Sequence, residues 1–268
     1  MNMTSFRALA RFQLLVSVFV ALLLVSICSV VYAADPLPSW NEGPAKKSIL
    51  EFVAAVTDKY SKDYVAPAER IATFDNDGTL WVESPIYTQA LFAFDRVKEL
   101  AAQLETEWET RQPFKALLEG DMQIVGAAGM KGLMEIIMAT HSGMTAAEFE
   151  KEVSAWLATT KQPRFKRPYT ELIYQPQLEL MAYLRANGFK TFIVSGGGVA
   201  FMRTFSEKAY GIPPEQVIGS SAVAEFQDKD GKPALVRQPK LNFLNDKAGK
   251  PVGIYQHIGR RPILAFGN

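Results

Sequence analysis

The segment Ile71–Leu80 constrains the fold of this chain more than any other part of the sequence. It begins with an apolar run of strand type, Ile71–Phe74, which stops at two carboxylates, Asp75 and Asp77, followed by Gly78. A buried strand of a parallel sheet has such a run, and ligands of open α/β sheets bind just beyond the carboxyl ends of the strands. Because unpaired buried carboxylates are costly, two acids here indicate a bound divalent cation together with a phosphate group.

The acidic pair has two simpler interpretations, a reverse turn and a calcium-binding loop. Asp-Gly between apolar stretches is typical of a hairpin turn, but a turn leaves Asp75 at the end of the strand unexplained. An EF-hand loop that began at Asp75 would need glycine at its sixth position and glutamate at its twelfth. Leu80 and Ile86 occupy those positions, which excludes an EF-hand.

The chemical interpretation gives each residue of the segment a role. Asp75 would attack phosphorus and form an aspartyl-phosphate, which a carboxylate can do when a metal ion neutralises the charge of the substrate. Asp77 would protonate the departing alkoxide and then deprotonate the attacking water. Gly78 allows the sharp exit from the strand, and Thr79 can hydrogen-bond within the turn.

The rest of the chain predicts an α/β fold with a doubly wound parallel sheet, because strand and helix patterns alternate along it. The predicted buried strands are 70–74, 189–194, 217–221 and 262–266. The predicted helices of this part are one that begins at Pro44 and those at 176–187, 199–210 and 251–258. A hairpin is predicted from the turn signal at 228–231, between short strands at 224–226 and 234–236.

Between the first two predicted strands the pattern is helical only. Apolar residues recur at helix spacing in 90–110, and glycines divide 115–138 into two or three short helices. Thr145 and Glu148 form a capping-box signature at the start of a further helix. The pattern predicts an all-helical cap inserted into the α/β core. The predicted domains are a signal peptide at 1–33, a core at 34–84 and 169–268, and a cap at 85–168.

A second predicted strand ends in a serine and three glycines. Ser195 follows Phe189–Val194 and precedes Gly196, Gly197 and Gly198, after which a helical pattern resumes. A strand, a glycine-rich turn and a helix N-terminus can bind phosphate, since bare N–H groups converge there and the helix dipole favours an anion. The alternatives are a flexible loop or close packing of the helix on the strand. No Lys-Ser/Thr follows the glycines, which excludes a Walker loop.

These two segments resemble the first and second motifs of the haloacid dehalogenase (HAD) superfamily. Asp75, Asp77 and Thr79 match its Asp-x-Asp-x-Thr motif, whose second aspartate is typical of phosphatases and phosphotransferases. Ser195 matches the hydroxyl residue of the second motif, and Ser-Gly-Gly is typical of the phosphoserine-phosphatase-like branch, which has a helical cap. The residues that the resemblance implies for phosphate binding are Thr79, Ser195, Gly196 and Gly197.

The third HAD motif, a lysine near the start of a helix, has two candidates in this sequence. Lys250, which directly precedes Pro251 and its predicted helix, fits better than Lys247. In the family this lysine balances the charges of the nucleophile, here Asp75, and of the phosphoryl group. The resemblance therefore implies three catalytic residues, Asp75, Asp77 and Lys250.

The fourth HAD motif is a strand that ends in Gly-Asp and is followed by a further acid, and these acids complete a magnesium site. Here Asn268 follows Gly267, and the sequence ends there. We therefore expect this chain to be an incomplete version of a longer protein. The resemblance implies Mg²⁺ as the cofactor, with Asp75, Asp77 and Asn268 as its ligands.

Other polar residues receive no catalytic role from the sequence. In phosphoserine phosphatases an acid after the first motif helps to bind the amine of the substrate, but Ser84 occupies that place and Glu83 lies beside it. Specificity for phosphoserine therefore does not follow. The basic run 164–167 either attracts an anionic substrate or is a solvated linker. His141 and His257 are interpreted as structural or surface residues, which excludes the histidine acid phosphatases.

The N-terminus has the pattern of a signal peptide. Arg7 and Arg11 precede a long apolar run at 12–27, and a small-residue cleavage signal ends at Ala33. We predict cleavage after Ala33 and a periplasmic or secreted protein. The alternative is an uncleaved membrane anchor. A lipid attachment site at Cys28 is disfavoured because the residue before it is too large.

The charge of the chain bears on its partners. The full sequence has 29 basic and 28 acidic side chains, and loss of Arg7 and Arg11 would leave a net charge of −1. This charge argues against binding to nucleic acids or to anionic membranes. The expected partner is a small phosphate ester, with membrane contact only through an uncleaved signal segment. Cys28 is the only cysteine, so the mature chain would form no disulfide of its own.

The sequence thus predicts an exported, Mg²⁺-dependent phosphomonoester hydrolase that acts on a small phosphorylated metabolite through an aspartyl-phosphate at Asp75. One alternative is a non-catalytic protein that binds a phosphate ligand, because the fourth motif is incomplete. Another alternative is a phosphotransferase. Neither the substrate nor the oligomeric state follows from the sequence.

Overall fold

The computed structural model describes residues 35–102, 107–229 and 231–268. The helices in these ranges are α1 Pro44–Thr57, α2 Thr88–Ala101, α3 Glu107–Thr110, α4 Phe114–Glu119, α5 Met122–Ala127, α6 Gly129–Thr140, α7 Ala146–Thr159, α8 Gln175–Ala186, α9 Val199–Arg203, α10 Ser206–Tyr210 and α11 Gly249–His257. The strands are β1 Ile71–Phe74, β2 Lys190–Gly198, β3 Val217–Lys229, β4 Lys232–Phe243 and β5 Leu264–Phe266. The predicted signal segment lies outside the described residues, so cleavage and export stay predictions.

The described strands form one sheet in the order β4-β3-β2-β1-β5. β1 pairs in parallel with both β2 and β5, β2 pairs in parallel with β3, and only the β3–β4 pair is antiparallel. The predicted α/β fold with a mostly parallel sheet is confirmed. After β1 the chain continues to one side, through β2 and β3, and later returns to the other side at β5. Such a reversal beside β1 creates the crevice in which ligands of these sheets bind.

The burial of β1 explains its sequence. All four residues of β1 are buried because strands cover both of its edges and the layers of the fold cover both faces. Phe74 stacks on Phe266 of β5, with ring centroids 5.4 Å apart. The prediction of a buried strand at 262–266 is only partly correct, since β5 begins at Leu264 and Ala265 is exposed. β5 pairs only with β1 among the described strands, and this edge position leaves it more accessible to solvent.

The hairpin of β3 and β4 is much longer than predicted. The separate strands expected at 217–221, 224–226 and 234–236 are parts of two continuous strands of 13 and 12 residues. The hairpin reaches the helical segment, where Gly143 N donates to Arg237 O and Arg237 N to Met144 O, both at 2.9 Å. The side chain of Arg237 also donates from Nε to His141 O, at 2.7 Å.

The helices between β1 and β2 occupy the stretch predicted as a cap. Helices α4, α5 and α6 confirm the prediction of two or three short helices at 115–138, and the capping box of Thr145 and Glu148 is present at α7. The helix predicted at 90–110 is represented by α2, which ends at Ala101, and the separate α3. One hydrophobic cluster contains residues from each of the five helices α2, α3, α4, α5 and α6. Helix α7 contributes instead to the main core cluster. The cap boundaries at 85 and 168 stay a prediction.

The remaining helices follow the sequence pattern closely. Helices α1, α8 and α11 confirm the predicted elements within about two residues. The helix predicted at 199–210 is divided into α9 and α10, which meet at Thr204 and Phe205. Within the described ranges, no helix is both long and apolar enough to cross a bilayer.

Candidate active site

The carboxyl ends of β1 and β2 meet at one cavity of about 920 Å³. Asp75, Asp77, Ser195 and the glycines after Ser195 all line it. A methyl group added to Gly197 would lie 3.5 Å from Ser195 Oγ and 3.6 Å from Asp77 Oδ2. The structure therefore brings together the two segments that the sequence singled out, although they are more than 100 residues apart.

Asp75 is held by its backbone and by both of its carboxylate oxygens. Its N–H donates to Phe266 O at 2.9 Å, which fixes the residue at the crevice between β1 and β5. Its Oδ1 accepts from Asn76 N at 2.8 Å, and Lys250 Nζ contacts its Oδ2. These contacts hold the carboxyl group of Asp75 in one orientation beside a cation, as a nucleophile requires.

The structure distinguishes the two candidate lysines. Lys250 lies in the first turn of α11, and this position directs its ammonium group to Asp75. Lys247 also lines the cavity, but it lies in the turn before α11 with a backbone φ of 47°. The ion pair with Asp75 is therefore made by Lys250, the lysine that the sequence favoured.

Asp77 has a partner that the sequence analysis did not identify. Its Oδ1 accepts from the indole Nε1 of Trp81 at 2.8 Å, and Trp81 is buried and stacked on Phe205. Burial raises the pKa of Asp77 above its ordinary value, and the hydrogen bond from Trp81 partly opposes this rise. The negative charge of Asp75 raises the pKa of Asp77 further. A carboxyl group with a raised pKa is suited to donate a proton.

The serine and glycines after β2 differ in detail from the predicted phosphate loop. Gly196 to Gly198 continue β2 as an irregular extension, and α9 has only five residues. Gly197 N donates to Ser195 Oγ at 3.1 Å, and Gly198 N donates to Gln89 Oε1 at 2.7 Å. The expectation of bare N–H groups is therefore wrong for Gly197 and Gly198, whose N–H groups have side-chain partners. A phosphate would have to compete with these two acceptors.

A buried polar network holds the end of β2 in place. Asn245 Nδ2 donates to Ser195 O at 2.9 Å, and Ser220 Oγ donates to Gly196 O at 2.7 Å. Asn245 N in turn donates to Ser220 Oγ at 3.0 Å. The sequence analysis missed this network, because nothing in the local pattern around Asn245 or Ser220 indicates a partner on β2.

The turn after β1 is closed by residues from its own loop and from beyond β5. Gly78 has a φ of +73°, and a methyl group there would lie 2.5 Å from Asn268 Nδ2 and 2.6 Å from Glu83 Cδ. Asn268 Nδ2 donates to Glu83 Oε1 at 3.2 Å, and Thr79 Oγ1 donates to Asn268 Oδ1 at 3.5 Å. Thr79 is buried and does not line the cavity. Its hydroxyl contributes to the turn, and its role in phosphate binding stays a prediction.

The donor groups at this end of the cavity suit a hard divalent cation. Four carboxylates line the cavity near the end of β1, namely Asp75, Asp77, Glu83 and Asp246. Two lysines, Lys247 and Lys250, line the same part of the cavity. Among the described residues, no group of three or more His, Cys, Asp or Glu side chains forms a ready-made metal site. Mg²⁺ commonly binds through one or two carboxylates and takes its other ligands from water and substrate phosphate. The residues present therefore fit Mg²⁺ in number and chemistry.

The remaining candidates lie elsewhere or have structural roles. Arg164, Lys166 and Arg167 are exposed and do not line the cavity, in agreement with a solvated linker. His257 is exposed. His141 is buried but lines the same cavity as Asp75, which the sequence did not indicate.

The family model for haloacid dehalogenase-like hydrolases matches residues 72–257. The chain belongs to this family. The match begins within β1 and ends with α11, so it includes Asp75, Asp77, Ser195 and Lys250. The predicted membership of the HAD superfamily is confirmed, whereas the phosphoserine-phosphatase-like branch stays a prediction.

Several solved structures are similar to this chain, and no curated protein sequence matches it. A protein of unknown function from Bordetella pertussis Tohama I is 15% identical, with 70% of this chain and 73% of that chain covered and a TM-score of 0.46. A conserved protein of unknown function from Anaerococcus prevotii is 15% identical, with coverages of 83% and 78% and a TM-score of 0.49. A phosphoserine phosphohydrolase-like protein from Francisella tularensis is 16% identical, with coverages of 71% and 72% and a TM-score of 0.37.

Proposed function

We propose that this member of the HAD family is an exported, Mg²⁺-dependent phosphomonoester hydrolase that forms an aspartyl-phosphate at Asp75. The observation that carries the proposal is the arrangement at one cavity of three groups with different tasks. Asp75 is ion-paired with Lys250. Asp77 lies near Asp75 and has a pKa that burial raises. Family membership supports hydrolysis, and the signal-type N-terminus supports export.

The residues of the chain would divide the reaction into two steps. In the first step Asp75 attacks phosphorus, the bond from phosphorus to the ester oxygen breaks, and Asp77 gives its proton to the departing alkoxide. In the second step Asp77 takes a proton from water, which attacks phosphorus and releases phosphate and the free carboxylate of Asp75. Lys250 supports both steps by offsetting the negative charge that gathers around Asp75.

Asp75, Asp77 and the amide oxygen of Asn268 would hold Mg²⁺ in this cavity. When bound there, it would offset the charge of the phosphate group and thereby assist attack by an anion. Ser195 would contact a phosphoryl oxygen, and the network of Asn245 and Ser220 fixes the backbone on which Ser195 lies.

Hydrolysis of p-nitrophenyl phosphate in the presence of Mg²⁺ tests this proposal. We expect turnover by the unmodified protein and a loss of about 10⁴-fold or more in Asp75→Asn, because the amide is not a nucleophile. Asp63→Asn is the matched control, since Asp63 is exposed and does not line the cavity. Full activity of Asp75→Asn would refute the mechanism.

The same samples distinguish the alternative functions. Calorimetric binding of inorganic phosphate without turnover of any phosphomonoester would favour a non-catalytic phosphate-binding protein. Alcohol-dependent formation of a new phosphoester, at the expense of free phosphate, would favour a phosphotransferase.

A further inference from the structure

The cavity of the candidate active site extends from the acidic pair to a wall formed by α6. Five apolar side chains of this helix line the cavity at spacings of three and four residues, namely Met130, Leu133, Met134, Ile137 and Met138. Residues at this spacing lie on one face of a helix. The face of α6 that lines the cavity is therefore an apolar stripe in which three of the five side chains are methionines.

The stripe is only partly covered by the rest of the described protein, since Leu133 and Ile137 also pack against the buried cluster of the helical segment. Met130 is 58% exposed, and the other four side chains are only partly buried. Apolar groups of this size are normally found inside the core, and a continuous apolar surface next to a cavity indicates a ligand site. Methionine is flexible and polarisable, so a stripe rich in it can adapt to apolar ligands of different shapes.

A second part of the cavity lining is apolar as well. It is formed by residues of β4 and of the turn after it, and Leu241 and Leu244 on this wall are 40% and 45% exposed. Pro239 and Ala222 also line the cavity from the hairpin. A ligand in the cavity would therefore contact carbon and sulfur atoms on two sides.

The charged groups of this part of the cavity are already engaged by the protein. Arg111 donates to Glu107 at 2.6 Å and to Glu135 at 2.9 Å. Arg237 donates from Nε to His141 O, and its guanidinium lies 4.3 Å from the centre of the Phe149 ring. A polyhydroxylated or zwitterionic leaving group would need several free polar partners here, whereas the α6 and β4 walls offer mainly apolar surface.

We propose that the substrate is a phosphomonoester with an extended apolar leaving group, of alkyl or aryl type, which packs between α6 and β4 while its phosphate lies at Asp75. This inference rests on the proposed function and adds the class of substrate. A cavity of about 920 Å³ is large for a phosphate alone and lies in the range of sites for drug-sized ligands. The apolar body would cover the methionine stripe, and its burial would contribute to kcat/KM.

The test is a series of n-alkyl phosphates from ethyl to octyl, with glycerol 1-phosphate and O-phosphoserine for comparison. For the full-length protein with Mg²⁺ we expect kcat/KM to rise about threefold per methylene over the first carbons, and both polar esters to react more slowly than butyl phosphate. A flat or falling series, or faster reaction of the polar esters, would overturn the inference and leave the proposed function intact.

A pair of methionine variants shows whether the stripe causes the effect. Met134→Gln keeps the length of the side chain but places an amide on the stripe, and we expect it to lower the ratio of octyl to ethyl phosphate kcat/KM about tenfold. Met122→Gln is the matched control, because Met122 is 50% exposed on α5 and does not line the cavity. An unchanged ratio in Met134→Gln would contradict the assignment of the stripe.

If no phosphomonoester is hydrolysed, the proposed function is wrong. Binding of phosphonates then tests the apolar ligand site on its own. Calorimetry with methylphosphonate and octylphosphonate then compares two ligands that cannot be turned over. Binding of octylphosphonate at least about tenfold tighter, and weakened by Met134→Gln, would support an apolar ligand site. Equal affinities would overturn it.

Discussion

At the ends of β1 and β2 the side chains that line the cavity are fixed by hydrogen bonds, whereas the apolar stripe of α6 offers only carbon and thioether groups to the cavity. Asp75 and Asp77 each have an identified donor, and Ser195 lies on a backbone held by Asn245. On α6, Met130 and Met134 present thioethers to the cavity. The first region is suited to one geometry, which chemistry on phosphorus requires, and the second to variation in the ligand.

The largest effect that separates the two regions should come from Lys250→Met. Removing the ammonium group leaves Asp75 without its cation, and we expect kcat/KM for p-nitrophenyl phosphate to fall by about 10²- to 10³-fold. Lys247→Met removes the same charge from the same cavity without touching Asp75, so its effect should be about tenfold smaller. Steady-state kinetics of both variants, with circular dichroism as a check on folding, makes the comparison. Equal losses of kcat/KM in the two variants would show that the rate depends on the positive charge of the cavity as a whole and not on the contact of Lys250 with Asp75.

A pair of glycine variants tests whether the acidic end is the more tightly packed region. Gly78→Ala forces a side chain into the left-handed φ region and into contact with Glu83 and Asn268, and we expect a loss of about 3 kcal/mol in the free energy of unfolding. Gly126 lies in α5 with no atom within 4 Å of an added methyl group. Gly126→Ala should therefore raise the free energy of unfolding by about 0.5–1 kcal/mol. Urea titrations measure both, and similar values for the two would contradict the difference in packing.

A pH dependence of stability is predicted at His141, where the hairpin meets the helical segment. Burial, together with the smaller effect of the charges of Arg237 and Arg96, lowers the pKa of His141 from 6.5 to about 3. The folded protein thus keeps His141 neutral while the unfolded chain binds a proton below pH 6.5. Between pH 6.5 and 3 this difference should lower the free energy of unfolding by about 1.4 kcal/mol per pH unit.

The variant His141→Asn isolates this contribution, because the amide removes the titrating group and can keep a hydrogen bond to Thr140. From pH 7 to pH 5, the unmodified protein should lose about 2 kcal/mol more stability than His141→Asn. His257→Asn changes an exposed histidine and should follow the unmodified protein. Parallel pH profiles for all three proteins would show that His141 has the same pKa in the folded and unfolded states.

The comparison also explains which parts of the site could be predicted from the sequence. Asp75 and Asp77 come just after β1, and Ser195 lies near the end of β2. The ends of parallel strands meet at one edge of a sheet, so local sequence was sufficient to bring these residues together. The choice between Lys250 and Lys247 depended on the residue at which α11 begins, because only the lysine in the first turn of this helix reaches Asp75.

Other parts could not be predicted, because partners distant in sequence determine them. The bonds from Gly198 to Gln89 and from Asn245 to Ser195 each join residues at least 50 positions apart. The length of the hairpin was missed for another reason, since most residues of β3 after Ser221 are exposed and leave no apolar alternation in the sequence. The apolar wall of α6 has a helical period that predicts burial, and only the fold shows that it faces a cavity.

The hairpin of β3 and β4 has a consequence for how a ligand enters and leaves. It is joined to the segment around His141 by three hydrogen bonds that involve Arg237, and a rotation of the helices as one body would have to break them together. Rearrangement of the methionine side chains breaks none of them. A route into the cavity that needs only rotation of the methionine side chains would therefore be faster than one that needs a hinge motion of the helical segment.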